Sequence, residues 1–145
     1  MAPHWAPNAR GAIYGVTRDT GPADFVRAAL ESVAYQTNDL FTAIAGDGIP
    51  VSVVRVDGGM TENDWLMQFL ADIIDVPVDR PVVRETTALG AAMLALMQSD
   101  ASITLEDLAA RWQRDASFTP SMDDAARQVL VAGWDRAMKR TLAES

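Results

Sequence analysis

The run Val54-Arg55-Val56-Asp57-Gly58-Gly59-Met60-Thr61-Glu62-Asn63 constrains this chain more than any other part of it, because an apolar strand passes through a glycine turn straight into a capped amphipathic helix. A turn of this kind presents backbone amides and one amide side chain at the end of a strand, which is where open α/β folds hold nucleotides. Gly58 and Gly59 let the chain turn without side chains filling the space above the sheet. Asn63 falls in the first turn of the next helix, within reach of the same opening. Gly59 and Asn63 are therefore the candidate site residues, Gly59 through close main-chain contact and Asn63 through hydrogen bonds to a base or ribose. An Asp-Gly-Gly turn also joins strand to helix for purely structural reasons, so the motif alone leaves both readings open. Asp57 reads as a turn-orienting carboxylate rather than a catalytic base. The Walker motif and the complete dinucleotide-binding glycine fingerprint are both absent.

A chain of 145 residues holds one domain with a core of moderate size, too little for the two lobes that enclose a kinase reaction. The formal charge of -8 argues against a nucleic-acid surface, since no basic patch is available to displace counterions. The absence of cysteine removes disulfides, thiolate zinc sites and cysteine nucleophiles together. His4, the single histidine, reads as a loop residue, and the dispersed carboxylates show no calcium-loop spacing, so no metal site is assigned. No apolar stretch approaches membrane-spanning length and no secretory leader is evident, which makes the cytoplasm the default address.

Along the chain, residues 12–14 are expected to form a short strand after a turn at residues 8–11. Pro22 opens a helix with Phe25, Ala29, Val33, Gln36, Leu40 and Ile44 on one stripe, and Gly46 and Gly48 end it. Residues 51–56 are β-branched without clean alternation, so they predict an interior strand covered on both faces. Thr61 is expected to cap the helix carrying Leu66, Phe69, Leu70, Ile73 and Ile74, with Pro77 closing it. Pro77 and Pro81 limit residues 76–83 to a short strand with restricted hydrogen bonding on one side. Thr86 or Thr87 caps a third helix, in which Gly90, unfavourable by about 1 kcal/mol relative to alanine, implies a close neighbour. Short and long helices start at Thr104 and Ser121, and Phe118 with Pro120 forms a hinge or packing corner between them. Gln68 and Asp72 share a helix face and bond to main chain or to one another. Arg55, Arg80 and Arg84 are salt-bridge or phosphate-contact residues, with Asp79 and Glu85 as local partners, and the four tryptophans are packing groups. The alternation gives an α/β class, yet two or three strands are thin cover for three long helices, which points to part of a larger unit or to an oligomer.

Residues 57–74, from Asp57 through Gln68 and Phe69 to Ile74, closely resemble the adenosine-side motif of the glycerol kinases, members of the carbohydrate kinase family whose two lobes share the ATPase fold of actin, hexokinase and Hsp70. Residues 3–15, 30–37 and 80–92 match the same family in the same order, as do Trp134, Ala137, Lys139 and Arg140. Pentulose kinases are similar in general architecture, but Glu85-Thr86-Thr87-Ala88-Leu89-Gly90 is more like the glycerol enzymes. The resemblance implies a partial ribonuclease H-like (actin-like ATPase) domain. Residues 1–145 would be the C-terminal portion of the second, nucleotide-binding lobe.

It further implies that Gly59 and Asn63 contact the nucleotide near adenine and ribose, and that the whole enzyme transfers the γ-phosphoryl group of ATP to a terminal hydroxyl of glycerol with magnesium. The partners implied are glycerol and an N-terminal kinase lobe, neither nucleic acid nor membrane. That lobe, the catalytic aspartate and the first phosphate-gripping part of the second lobe have no counterpart in this sequence, so Met1 is expected to be an artificial start, a mispredicted gene start or the start of a truncated gene. No residue here is assigned a catalytic role. Phosphoryl transfer rests on positioning and electrostatics around the moving group, so the chain alone is expected to be inactive, with weak or no ATP binding. The alternatives are a fragment of another sugar or polyol kinase of the family, or a non-catalytic self-associating module.

Overall fold

In a computed structural model that describes residues 3–100 and 102–143, five helices and three strands follow one another along the chain. Helix α1 (Pro22–Gly46) starts at a proline, whose missing donor costs nothing in the first turn, and the Asp24 carboxylate reaches back to the Gly21 amide at 2.9 Å. Strand β1 (Val54–Arg55) leads through a 3₁₀ turn (Gly59–Glu62) into α2 (Asp64–Ile74) and β2 (Val78–Pro81). Then come α3 (Thr86–Ser99), α4 (Leu105–Ala109), β3 (Arg114–Phe118) and α5 (Asp124–Ala143).

The sheet runs β1-β2-β3, with β1 parallel to β2 and β3 antiparallel to it. Val54 lies opposite Val78, and Val78 in turn lies opposite Phe118. β2 is short, as expected, and pairs through only two residues with β1; it is nevertheless the central strand, and all four of its residues are buried. The physical reason is that proline loses a donor and keeps its acceptor. The Pro77 carbonyl accepts from the Val54 amide at 2.8 Å, while Pro81 sits where the pairing with β3 shifts register. Conversely, the valine-rich segment is not interior: it contributes only two paired residues at one side of the sheet, and Val53 is 40% exposed.

Three further expectations are corrected. Residues 12–14 form no strand, since nothing pairs with them; Ile13 is exposed, and the Tyr14 hydroxyl bonds that of Thr141 at 3.1 Å. The supposed packing corner before α5 includes a strand, β3, whose polar sequence is stabilised by its ladder with β2 rather than by its own burial. At the start of α5 the capping carboxylate is Asp123, whose Oδ1 accepts from the amides of Ala125 and Ala126, and not Ser121. α4 does start as its sequence indicates, with Thr104 and Asp107 forming a reciprocal capping box.

The core lies where α1 and α2 pack against the sheet. Leu66, Ile73 and Val78 are fully buried there beside Ala34, Phe69 and Leu70, and Leu130 and Trp134 of α5 close one side. Tyr35 is at its centre, edge-on to Phe69 at 5.7 Å and stacked on Trp134 at 5.4 Å. Trp134 is a packing group as expected, its indole N–H donating to Asp39 at 2.8 Å, whereas Trp5 is 74% exposed. Gln68 and Asp72 bond to each other at 3.0 Å, and the Asp72 carboxylate also accepts the Ser121 and Met122 amides, tying α2 to the entrance of α5.

Helix α3 stands apart. It is apolar around most of its circumference, yet none of its residues is buried and Leu94 is 63% exposed. A side chain added at Gly90 would meet nothing within 4 Å, so the close neighbour expected there is not supplied by the described residues.

Candidate functional site

The glycine turn is built by local hydrogen bonds. Gly58 has φ of 85°, which a side chain would strain, and its amide donates to the Arg84 carbonyl at 2.9 Å. Thr61, expected to cap α2, instead turns back: its hydroxyl donates to the Gly58 carbonyl at 2.7 Å and closes the 3₁₀ turn, and the side chain is buried. The cap belongs to Asn63, whose Oδ1 accepts the Leu66 amide at 3.1 Å. Because the backbone partner is a donor, the oxygen must face it, and the Asn63 Nδ2 is left as a pair of donors toward the exterior.

Gly59 and Asn63 line one hollow together with Leu30, Met60, Glu62 and Leu66, a space of about 430 Å³. A Cβ built on Gly59 would meet nothing within 4 Å, so the main chain there is open to close approach. The two sequence-derived residues therefore meet at one place. Leu30, Met60 and Leu66 form its apolar walls; Leu30, which the motif did not reveal, arrives from α1, twenty-nine residues before Gly59. In the sequence it stands beside the α1 stripe, one residue from Ala29, and opens the matching segment 30–37.

Charged groups tie the turn to the strands and helix around it. Arg80 donates to the Thr61 carbonyl at 2.8 Å, to Asp64 at 2.6 Å and to Asp115 at 2.8 Å. The hydrogen bond with Asp64, more than any other contact, holds its guanidinium further above the ordinary arginine range. Arg84 pairs with Glu62 at 2.5 Å and lies 3.6 Å from Asp115. Asp79 pairs with Arg114 and Arg55 covers the Trp112 ring, so the adjacent Asp79 and Glu85 are not the partners that Arg80 and Arg84 use. The Asp57 carboxylate accepts the Thr86 hydroxyl, which joins the strand end to the start of α3 and suits a turn-orienting role. Among the described residues no cluster of three or more His, Asp or Glu side chains is placed to hold a metal ion, and no helix is long and apolar enough to cross a membrane.

A three-stranded α/β unit thus carries an open glycine turn, followed by a helix whose start is capped by an amide side chain. Residues 1–99 match the FGGY family of carbohydrate kinases, C-terminal domain, and the chain belongs to that family. It is 55% identical over 144 residues to a glycerol kinase of Rhizobium meliloti, an alignment that takes in 97% of this chain and 29% of the relative. A glycerol kinase of Cereibacter sphaeroides is 56% identical over 144 residues, with 98% and 29% covered. The crystal structure of Plasmodium falciparum glycerol kinase with ADP superposes with a TM-score of 0.81 at 39% identity, covering 97% of this chain and 28% of that one. A gluconate kinase from Lactobacillus acidophilus gives a TM-score of 0.81 at 24% identity over 98% of this chain and 29% of its own, a likeness of fold. The chain is homologous to the C-terminal portion of these kinases and spans about 29% of the curated relatives' length.

Proposed function

We propose that this chain is the adenosine-side nucleotide-binding portion of an ATP:glycerol 3-phosphotransferase. The observation that carries the proposal is the convergence of an open main chain at Gly59 and the donor face of Asn63 on a single hollow with apolar walls. A purine has two apolar faces and an edge of acceptors, and its ribose adds hydroxyls; Leu30, Met60 and Leu66 suit the faces, and the Asn63 Nδ2 suits an acceptor. The size of the hollow lies within the range of small-molecule sites. The high identity to glycerol kinases over nearly the whole chain favours glycerol over other polyols as the parent substrate.

On this reading the chain is the C-terminal portion, residues 1–145, of the second lobe of a ribonuclease H-like, actin-type ATPase fold in the cytoplasm. Magnesium and the γ-phosphate would be held by residues outside this segment. Asp72, a buried carboxylate of α2, is occupied with Gln68, Ser121 and Met122. The chain alone transfers no phosphoryl group and binds ATP weakly, because it brings the base-side contacts without the phosphate grip. Its partner is the N-terminal kinase lobe. The unburied apolar helix α3 marks a face that needs covering, and self-association through it is the second reading.

An NMR titration of the full chain with ATP tests the site. Amides of Gly59, Asn63 and Leu66 should shift, adenosine should reproduce the pattern, and pyrophosphate should not. Equal shifts with pyrophosphate, or shifts elsewhere only, would remove the nucleotide reading. A coupled glycerol phosphorylation assay should show no turnover.

A further inference from the structure

Turns that are open to a ligand on one side have little packing to hold them, and the 3₁₀ turn is such a case: Met60 is 52% exposed, and Gly59, Glu62 and Asn63 are exposed as well. Something other than apolar contact must set its position. We propose that Arg80, on the central strand, is the positioning residue of the nucleotide site, clamping the turn and the α2 N-terminus against the sheet. The inference rests on the reading of Gly59 and Asn63 given above.

Three acceptors from three separate elements converge on this one side chain. The Arg80 Nη1 donates both to the Thr61 carbonyl, inside the turn, and to Asp64, the first residue of α2; the Nε donates to Asp115 of β3. The Thr61 carbonyl and Asp64 flank Asn63 in sequence, so the two Nη1 bonds bracket the residue that is to face the ligand. The guanidinium carbon lies over the Phe118 ring, 5.4 Å from its centre, and the residue is only 8% exposed. Arg84 adds a parallel tie through Glu62 and through its own carbonyl to the Gly58 amide, but its side chain is 32% exposed. A rigid planar fork can satisfy bonds in fixed directions at once, whereas a lysine ammonium is a point charge on a flexible stem. Arg80→Lys therefore keeps the charge and removes the geometry.

The test compares the wild-type chain, Arg80→Lys and Asp72→Asn, the last of which loosens a polar tie to α5 without touching the turn. ATP affinity is read by NMR titration, and amide hydrogen exchange is read residue by residue. Arg80→Lys should weaken ATP binding about tenfold, the loss of roughly one charge-assisted hydrogen bond. It should also speed exchange at Thr61, Asn63 and Leu66 and leave Ile73 protected. Asp72→Asn should keep ATP affinity within about twofold at a comparable loss of overall stability. Equal affinity losses in the two variants would make Arg80 a general stabiliser and overturn the inference, as would unchanged turn exchange in Arg80→Lys. Should ATP leave the wild-type spectrum unshifted, the nucleotide reading fails by itself. The exchange rates then decide whether the clamp exists, with unaltered protection at the turn refuting it.

Discussion

Replacing Asp72 with alanine should destabilise the chain by about 3 kcal/mol, the low end for two charge-assisted hydrogen bonds at about 1.5–3 kcal/mol each. The carboxylate accepts the Ser121 amide at 2.6 Å and the Met122 amide at 3.2 Å, and Gln68 donates to it at 3.0 Å. Asp72 is 8% exposed, so water does not readily take its place, yet the Ser121 segment faces solvent, and this is why the low end applies. With about 2.1 cal/mol/K of unfolding entropy per residue, a chain of 145 residues carries about 0.3 kcal/mol/K, and the midpoint should fall by about 10 °C. Urea and thermal melts followed by circular dichroism and tryptophan fluorescence measure both quantities. Asp75→Ala is the matched control: that carboxylate pairs with Arg127 at 2.7 Å but its side chain is 57% exposed, so the change should stay below about 1 kcal/mol. An Asp72→Ala loss no greater than the control's would refute the claim that this carboxylate fastens α5 to α2.

Leu66 is 1% exposed between the core and the wall of the hollow, so Leu66→Ala should cost about 3–4 kcal/mol in urea melts and weaken any ATP shift at Asn63. Burial, followed by the charge of Glu31, pushes the Tyr35 hydroxyl up to about 12, whereas the unfolded chain releases that proton near 10. Folding therefore favours the protonated form: this contribution is complete below pH 10 and is lost as pH rises from 10 to 12, so stability should fall across that window more steeply in wild type than in Tyr35→Phe. Parallel pH slopes in denaturation curves of the two proteins would contradict the placement of Tyr35.

Much of this architecture can be read from neighbours close in sequence. Pro22 and Gly46 bracket α1, the three-residue spacing of Thr104 and Asp107 builds the α4 cap, and the apolar set from Leu66 to Ile74 marks α2. Each is a local interaction along one turn of chain, so spacing alone specifies it. The Asp-Gly-Gly turn and Asn63 belong to the same class, and the structure brings Gly59 and Asn63 to one hollow. The assignment of the cap to Thr61 failed for a subtler reason. The Thr61 hydroxyl donates to the Gly58 carbonyl behind it instead of accepting an amide ahead, and Asn63, two residues on, takes the cap.

Nonlocal pairing is a different matter. β3 has almost no apolar signature, and its strand geometry exists because β2 lies beside it; β2 is central because Val54 and Val56 donate to carbonyls that prolines and aspartates retain equally well. Arg80 advertised only a charge, and its reach to Thr61, Asp64 and Asp115 follows from a register between strands thirty-five residues apart. Helical period, the starts of α1 and α4 and the glycine turn were thus settled by side chains within a few residues of one another, and with them the family and the two candidate site residues. Strand order, the walls brought by α1 and the clamp on the turn arose from contacts between distant segments, where hydrogen-bond directionality and close packing choose among partners that spacing leaves equivalent.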